Sequence, residues 1–223
     1  MKLSTDTINI LKNLATINAN LVVKQGNELA SIADNNSILA SAVVKETFTK
    51  EFGIYNLSEF LSLISLIPNA EFDFEDKYVK VKAKGVQVKY FYSNTEILTS
   101  PKKKISMPST DVTFNLNKEQ FGNIKNAAGA LKHEVLTLKG DDGVITAIVR
   151  DPADSTANTY SIVIDEDNSC KESFTFDIKI VNLKLISSNY TVHLSSKGIS
   201  NFVSDDQPIE YFVAVEKTST FGE

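Results

Sequence analysis

Apolar residues recur at helical spacing in a few segments of this chain and alternate with polar residues through most of the rest. Ile10, Leu14 and Ile17 share one side of a helix predicted over residues 5–18, with Asn9, Lys12, Asn13, Thr16 and Asn20 opposite. Strict alternation predicts strands over 21–24, 28–33 and 37–44, punctuated by Gln25-Gly26-Asn27 and Asp34-Asn35-Asn36. A strand over 47–55 leads into a second helix over 57–67, with Asn56 as its N-cap and Pro68-Asn69 as its stop. Strands over 71–74, 78–83 and 86–92 close the first half.

The second half repeats that order at a spacing of roughly 110–120 residues. A strand over 111–116 precedes a helix, and strands over 134–139 and 144–150 flank the turn Gly140-Asp141-Asp142-Gly143. Strands over 159–164 and 174–179 follow, then a short helix over 180–186 closed by Ser187-Ser188-Asn189, then strands over 190–195, 198–204 and 209–215. Between the halves, residues 94–109 carry Pro101, Pro108 and the run Lys102-Lys103-Lys104, which marks an extended connector. The expected organisation is a domain over 1–95, a connector over 96–109 and a domain over 110–223. The fold class is α+β: two tandem domains, each with two helices packed on antiparallel sheets.

The helix opening the second half has two chemically distinct faces. Phe121, Ile124, Ala128 and Leu131 lie on one side; Lys118, Gly122, Lys125, Gly129 and Lys132 lie on the other. The chain is acidic overall, with net charge -5 and pI near 5.2. Its acids gather in loops, at Asp141-Asp142, Asp165-Glu166-Asp167 and Asp205-Asp206. Segregated charge of this kind points to a surface kept positive for a polyanion, although a solvated lysine face accounts for the stripe equally well. Arg150 is the only arginine. Lysine in its place favours point-charge contact with phosphate over reading of base edges.

No catalytic constellation stands out. His133 and His193 are far apart in sequence, and each reads as a surface or cap residue. Cys170 is the only cysteine, lies in an acidic loop, and excludes an internal disulfide, as a reducing cytoplasm would favour. Asp165-Glu166-Asp167-Asn168 lacks the glycine and closing glutamate of a calcium loop, so no metal or cofactor is expected. The chain has no apolar run long enough to span a membrane, and Met1-Lys2-Leu3-Ser4 is not a secretory leader.

Met1-Lys2-Leu3-Ser4, Leu11 through Asn18 and Val23-Lys24-Gln25-Gly26 resemble the opening of the DNA polymerase sliding clamps of T4-type bacteriophages. The connector with Pro101, Lys103 and Pro108 and the turn at Asn189-Tyr190 are similar as well. The resemblance implies a PCNA-like fold closed into a homotrimeric ring, with helices lining the hole and sheets outside. It implies a non-enzymatic processivity factor that encircles double-stranded DNA without reading sequence and tethers the replicative DNA polymerase. A clamp-loader ATPase would open the ring, and late-transcription factors would use it, in the cytoplasm of the infected bacterial host. Lys2, Lys12, Lys118, Lys125, Lys132 and Lys184 would then face DNA. Partner peptides would enter an apolar pocket near Ile97, Leu98, Ile105, Met107, Tyr211 and Phe212. Head-to-tail subunit contacts would use edge strands, with 159–164 and 80–88 as candidates. The competing reading is a structural or virion protein of duplicated β-rich domains whose lysines serve only solubility.

Overall fold

The computed structural model describes residues 1–222. The chain divides into two compact units, Met1–Lys104 and Ile105–Glu223, with the division falling in the connector stretch.

The first unit contains, in order, α1 (Thr5–Ile17), β1 (Leu21–Val23), β2 (Gly26–Ile32), β3 (Ile38–Phe48), β4 (Phe52–Ile54), α2 (Leu57–Ser65), β5 (Glu71–Phe74), β6 (Tyr78–Ala83) and β7 (Val86–Phe91). Ile10, Leu14 and Ile17 are buried, and α1 packs on β3 and α2. Its start is fixed twice. The Ser4 hydroxyl accepts from the Thr7 N–H at 3.2 Å, and buried Glu46 of β3 accepts from the Ser4 N–H and the Thr7 hydroxyl. Burial pushes the Glu46 carboxyl up, but these hydrogen bonds outweigh it and leave its pKa lowered. At the other end Asn18, in extended conformation, donates to Ile32 O at 2.9 Å and to Asp34 at 3.0 Å. β2 pairs antiparallel with β3, β1 with β4, and β5, β6 and β7 form a meander.

The expected strand over 47–55 is split. β3 runs on to Phe48, a bend at residues 49–50 interrupts it, and β4 resumes at Phe52. The split lets Phe48 and Phe52 both turn inward, at 5.9 Å between ring centroids, toward Phe74 and Tyr92. α2 stops at Ser65, short of the expected 67, because Pro68 disfavours helix just before it.

The second unit contains β8 (Val112–Leu116), α3 (Lys118–Leu131), β9 (Val135–Asp141), β10 (Val144–Arg150), β11 (Tyr160–Asp165), β12 (Phe174–Lys179), β13 (Tyr190–Ser195), β14 (Ile199–Ser204), β15 (Ile209–Ala214) and β16 (Thr220–Phe221). One sheet has the order β11-β10-β9-β12-β16, and β8, β13, β14 and β15 pair in the order β8-β13-β14-β15. At the crossing of β9 and β12, Phe174 lies against Gly140, so a Cβ there would run into the ring. Asp177, only 3% exposed, accepts from Thr137 at 2.5 Å, Arg150 at 3.1 Å and Thr218 at 2.8 Å. The single arginine, itself half-buried, is thus committed to a structural pair with a buried carboxylate.

The helix expected over 180–186 is a single 3-10 turn, Ile180–Asn182, so the second unit has one α-helix among its described residues. Two physical causes are visible. Lys179 provides no side-chain cap for the turn. Beyond it Leu183 and Leu185 are buried while the intervening Lys184 is half-buried, an extended alternation. The short β16 has no counterpart among the expected strands; it is held by Phe174 and Phe221 facing across the ladder.

Candidate nucleic-acid interface

α3 is built to hold a fixed attitude. Asn117 and Gln120 form a reciprocal capping box, at 2.8 Å and 3.0 Å. The Lys118 N–H donates to Asn189 Oδ1 at 3.0 Å, and the Asn189 N–H donates to Asp206 at 2.9 Å. That N–H, the Ser188 hydroxyl and the nearby Lys118 charge hold the Asp206 carboxyl below its usual range. The helix start is therefore tied to the turns before β13 and after β14. At its far end Lys132 takes the left-handed conformation, φ 57°, and the His133 N–H donates to Ala128 O.

The apolar side of α3 buries Phe121, Ile124 and Ala128 and packs on β10 and β11. Phe121 meets Tyr190 edge-on at 5.9 Å. The other side exposes Lys118, Lys125 and Lys132. Among the described residues none of these three has an acidic partner within ion-pair distance. Lys125 instead lies over the Phe121 ring at 5.5 Å, an arrangement that orients the ammonium without neutralising it. Ion-paired lysines lie elsewhere, as in Lys45 with Asp6 and Lys82 with Asp73 on strands of the first unit.

A shallow groove of about 650 Å³ runs beside the first half of α3, lined by Asn117, Lys118, Glu119, Gly122, Asn123, Asn126, Ser187 and Asn189. Sequence reasoning misses the asparagines and Ser187 as site residues. A signal for two of them exists: Asn123 and Asn126 sit three apart beside Gly122, in a helix that gains nothing from asparagine.

The remaining candidate residues divide by unit. Lys12 is exposed on the outer side of α1, and Lys2 is exposed just before it. Lys184 is half-buried on the extended segment after the 3-10 turn. α2 presents no lysine: its outer side is Ser58, Glu59, Ser62 and Ser65, with Ser62 and Ser65 donating back to Ser58 O and Ser62 O. In the first unit Ile97 is 70% exposed, while Leu98 is buried against Gly53, where an added Cβ would come within 2.7 Å of it. In the second unit Ile105 and Met107 are half-exposed, Phe212 is buried, and Tyr211 is fully buried with its hydroxyl accepting from the Ile186 N–H at 3.2 Å. Tyr211 thus belongs to the interior of its unit and presents no surface to a peptide.

His133 Nε2 lies 2.7 Å from Asn158 O, and His193 Nδ1 lies 2.9 Å from the Thr113 hydroxyl. The partner of His133 is thus a backbone carbonyl, and that of His193 a hydroxyl. What the surface of α3 offers is positive charge without base-reading geometry. A polyanion can be attracted there and still move along it.

Comparison with known proteins places these features in a lineage. A family model described as gp45 sliding clamp, C terminal, matches residues 113–217. The chain is 32% identical over 222 residues to the sliding clamp of Vibrio phage KVP40, covering 97% of this chain and 99% of that protein. It is 26% identical over 226 residues to the sliding clamp of Enterobacteria phage T4, with 99% of each covered. Among solved structures it is similar to A. fulgidus PCNA bound to the C-terminal region of FEN-1, with TM-score 0.71, 12% identity and 96% of each chain covered.

Proposed function

The chain belongs to the sliding-clamp family of T4-like phages, and on that footing we propose how its own residues carry the work of a clamp. It acts as the processivity clamp of a DNA polymerase. The observation that carries the mechanism is the α3 surface, where among the described residues three lysines stand with no acid within ion-pair distance, in a chain of net charge -5. They attract the phosphates of duplex DNA, while the acidic remainder of the molecule repels them. Attraction without bidentate base contacts leaves the duplex able to slide. On the first unit Lys2 and Lys12 are the exposed positive positions, and on the second Lys184 adds less than the α3 lysines, being half-buried.

A homotrimeric ring supplies the topological hold that such weak contacts lack. Among the described residues β7 pairs with β6 alone and β11 with β10 alone, so each leaves one edge open within its sheet. Antiparallel addition of β7 to the β11 of another copy would set Lys84 beside the acidic run Asp165-Glu166-Asp167. The interface is head-to-tail, and it closes because the rotation returns to the first copy. A clamp-loader ATPase opens the ring. The replicative polymerase and late-transcription factors dock by short peptides, for which half-exposed Ile105 and Met107 of the second unit are the apolar anchors. The site of action is the cytoplasm of the infected bacterial host. No covalent chemistry is asked of the protein.

Light scattering across a concentration series tests the ring. A trimer, or a monomer–trimer equilibrium, is the expected result. A strict monomer at high concentration would overturn the ring and return the duplicated structural protein to consideration.

A further inference from the structure

The first half of α3 is composed against its own helix. Gly122, Asn123 and Asn126 lie within a few residues of one another, and glycine and asparagine are weak helix formers. The fold does not require them. A Cβ at Gly122 would meet nothing within 4 Å, so no neighbour in the chain needs the missing side chain. Among the described residues, no hydrogen bond is made by the side-chain amide of Asn123 or Asn126, whereas the neighbouring Asn117 and Asn189 side chains are both used in holding the helix start. The three residues line the same groove, with Lys118 at one end, Ser187 and Asn189 on the far wall, and Glu119 as its only acid. A local sequence that opposes its own secondary structure without a packing reason marks a surface shaped for something outside the chain.

We propose that this groove is a discrete seat for one phosphodiester stretch of the encircled duplex. Gly122 is its floor, Asn123 and Asn126 are neutral donors, and Lys118 supplies the charge. The proposal rests on the clamp reading and adds to it a specific contact within an otherwise diffuse positive face. Gly122 lets the sugar-phosphate backbone approach the helix surface closely. The two amides donate to phosphate oxygens. Glu119 opposes the anion and keeps the contact short-lived, so the seat is occupied and vacated as the ring moves. The helix N-terminus is not the anion donor, because its capping box and Asn189 already occupy the first amides.

The test uses the full chain and a fluorescently labelled blunt 30-base-pair duplex in low salt, read by anisotropy. Gly122→Leu fills the groove with a better helix former, and Asn123→Ala with Asn126→Ala removes the donors. Ala130→Leu places the same side chain at an exposed position of α3 outside the groove. The melting temperature of each variant should match or exceed that of the parent, and its native mass should equal the parent's. The expected result is about tenfold weaker duplex binding for Gly122→Leu and for the double asparagine variant, and less than about twofold for Ala130→Leu. Parent-like binding by both groove variants would overturn the seat while leaving the clamp reading intact. Equal weakening by Ala130→Leu would overturn it too, showing that bulk anywhere on the helix matters. A parent protein that neither assembles nor binds the duplex would overturn the clamp reading, and this inference with it.

Discussion

Reversing the charge of α3 is the perturbation that separates a DNA-facing helix from a merely soluble one. In Lys118→Glu/Lys125→Glu/Lys132→Glu, three exposed side chains change sign, and none gives up an ion pair within the described residues. The cost to folding is small. Position 125 no longer places a cation over the Phe121 ring, which costs about 0.5–1 kcal/mol at an exposed site. Glutamate at the first helical position regains roughly 0.3–1 kcal/mol from the helix dipole. Against that gain, Lys132→Glu places an anion at the helix C-cap and Lys118→Glu places a second carboxylate near Asp206, so the net loss is about 1 kcal/mol and the melting temperature should fall by about 2–4 °C. For DNA, a lysine about 6 Å from a phosphate attracts it by roughly 0.7 kcal/mol in water, halved by screening near 0.15 M salt. Reversal replaces that attraction with equal repulsion, about 0.7 kcal/mol per position. Three positions give about 2 kcal/mol, or roughly thirtyfold in affinity, for each subunit's α3. The assay is duplex binding across a salt series, run beside processive synthesis with the cognate loader and polymerase. The slope of log affinity against log salt should flatten by about 0.9 for each phosphate that a lysine no longer neutralises. A parallel Lys→Gln triple variant should show about half the loss in free energy. Parent-like affinity, slope and processivity in the folded, assembled glutamate variant would refute the assignment of this face to DNA.

Other consequences follow from the packing. Asp177→Ala leaves Arg150 and the Thr137 and Thr218 hydroxyls without their acceptor and should cost about 3–5 kcal/mol, read as a lower urea midpoint. Gly140→Ala drives a methyl into Phe174; displacing that buried ring should cost about 1.5–3 kcal/mol by the same measurement. Stability should also fall in acid. Glu46, Asp111 and Asp206 have folded pKa values below their ordinary ones, so their contribution is fully present above the usual carboxylate range and is lost as pH falls through the lowered values. Thermal melts over that range should show a smaller acid loss in Glu46→Gln, and an identical pH profile would count against the linkage.

Elements whose two sides differ in polarity are legible from residue order alone. α1 and α3 are of this kind, because burial on one side and water on the other impose a 3.6-residue period, and Asn56 sits where the cap of α2 belongs. The strands with clean alternation are legible for the same reason, and so is the lysine face, since charge segregates along a helix as visibly as hydrophobicity. The 3-10 turn at Ile180–Asn182 escapes that logic: its apolar spacing fits a helix, but burial of Leu183 and Leu185 on an extended path decides otherwise. Packing in three dimensions is what makes Tyr211 interior, commits the single arginine to Asp177, and leaves Lys118, Lys125 and Lys132 with no acid within ion-pair distance among the described residues. It also brings Ser187 and Asn189 across to Asn123 and Asn126. Periodicity records which side of an element meets water. It carries no information about which distant element arrives on the other side, because that is set by long-range packing between segments far apart in the chain.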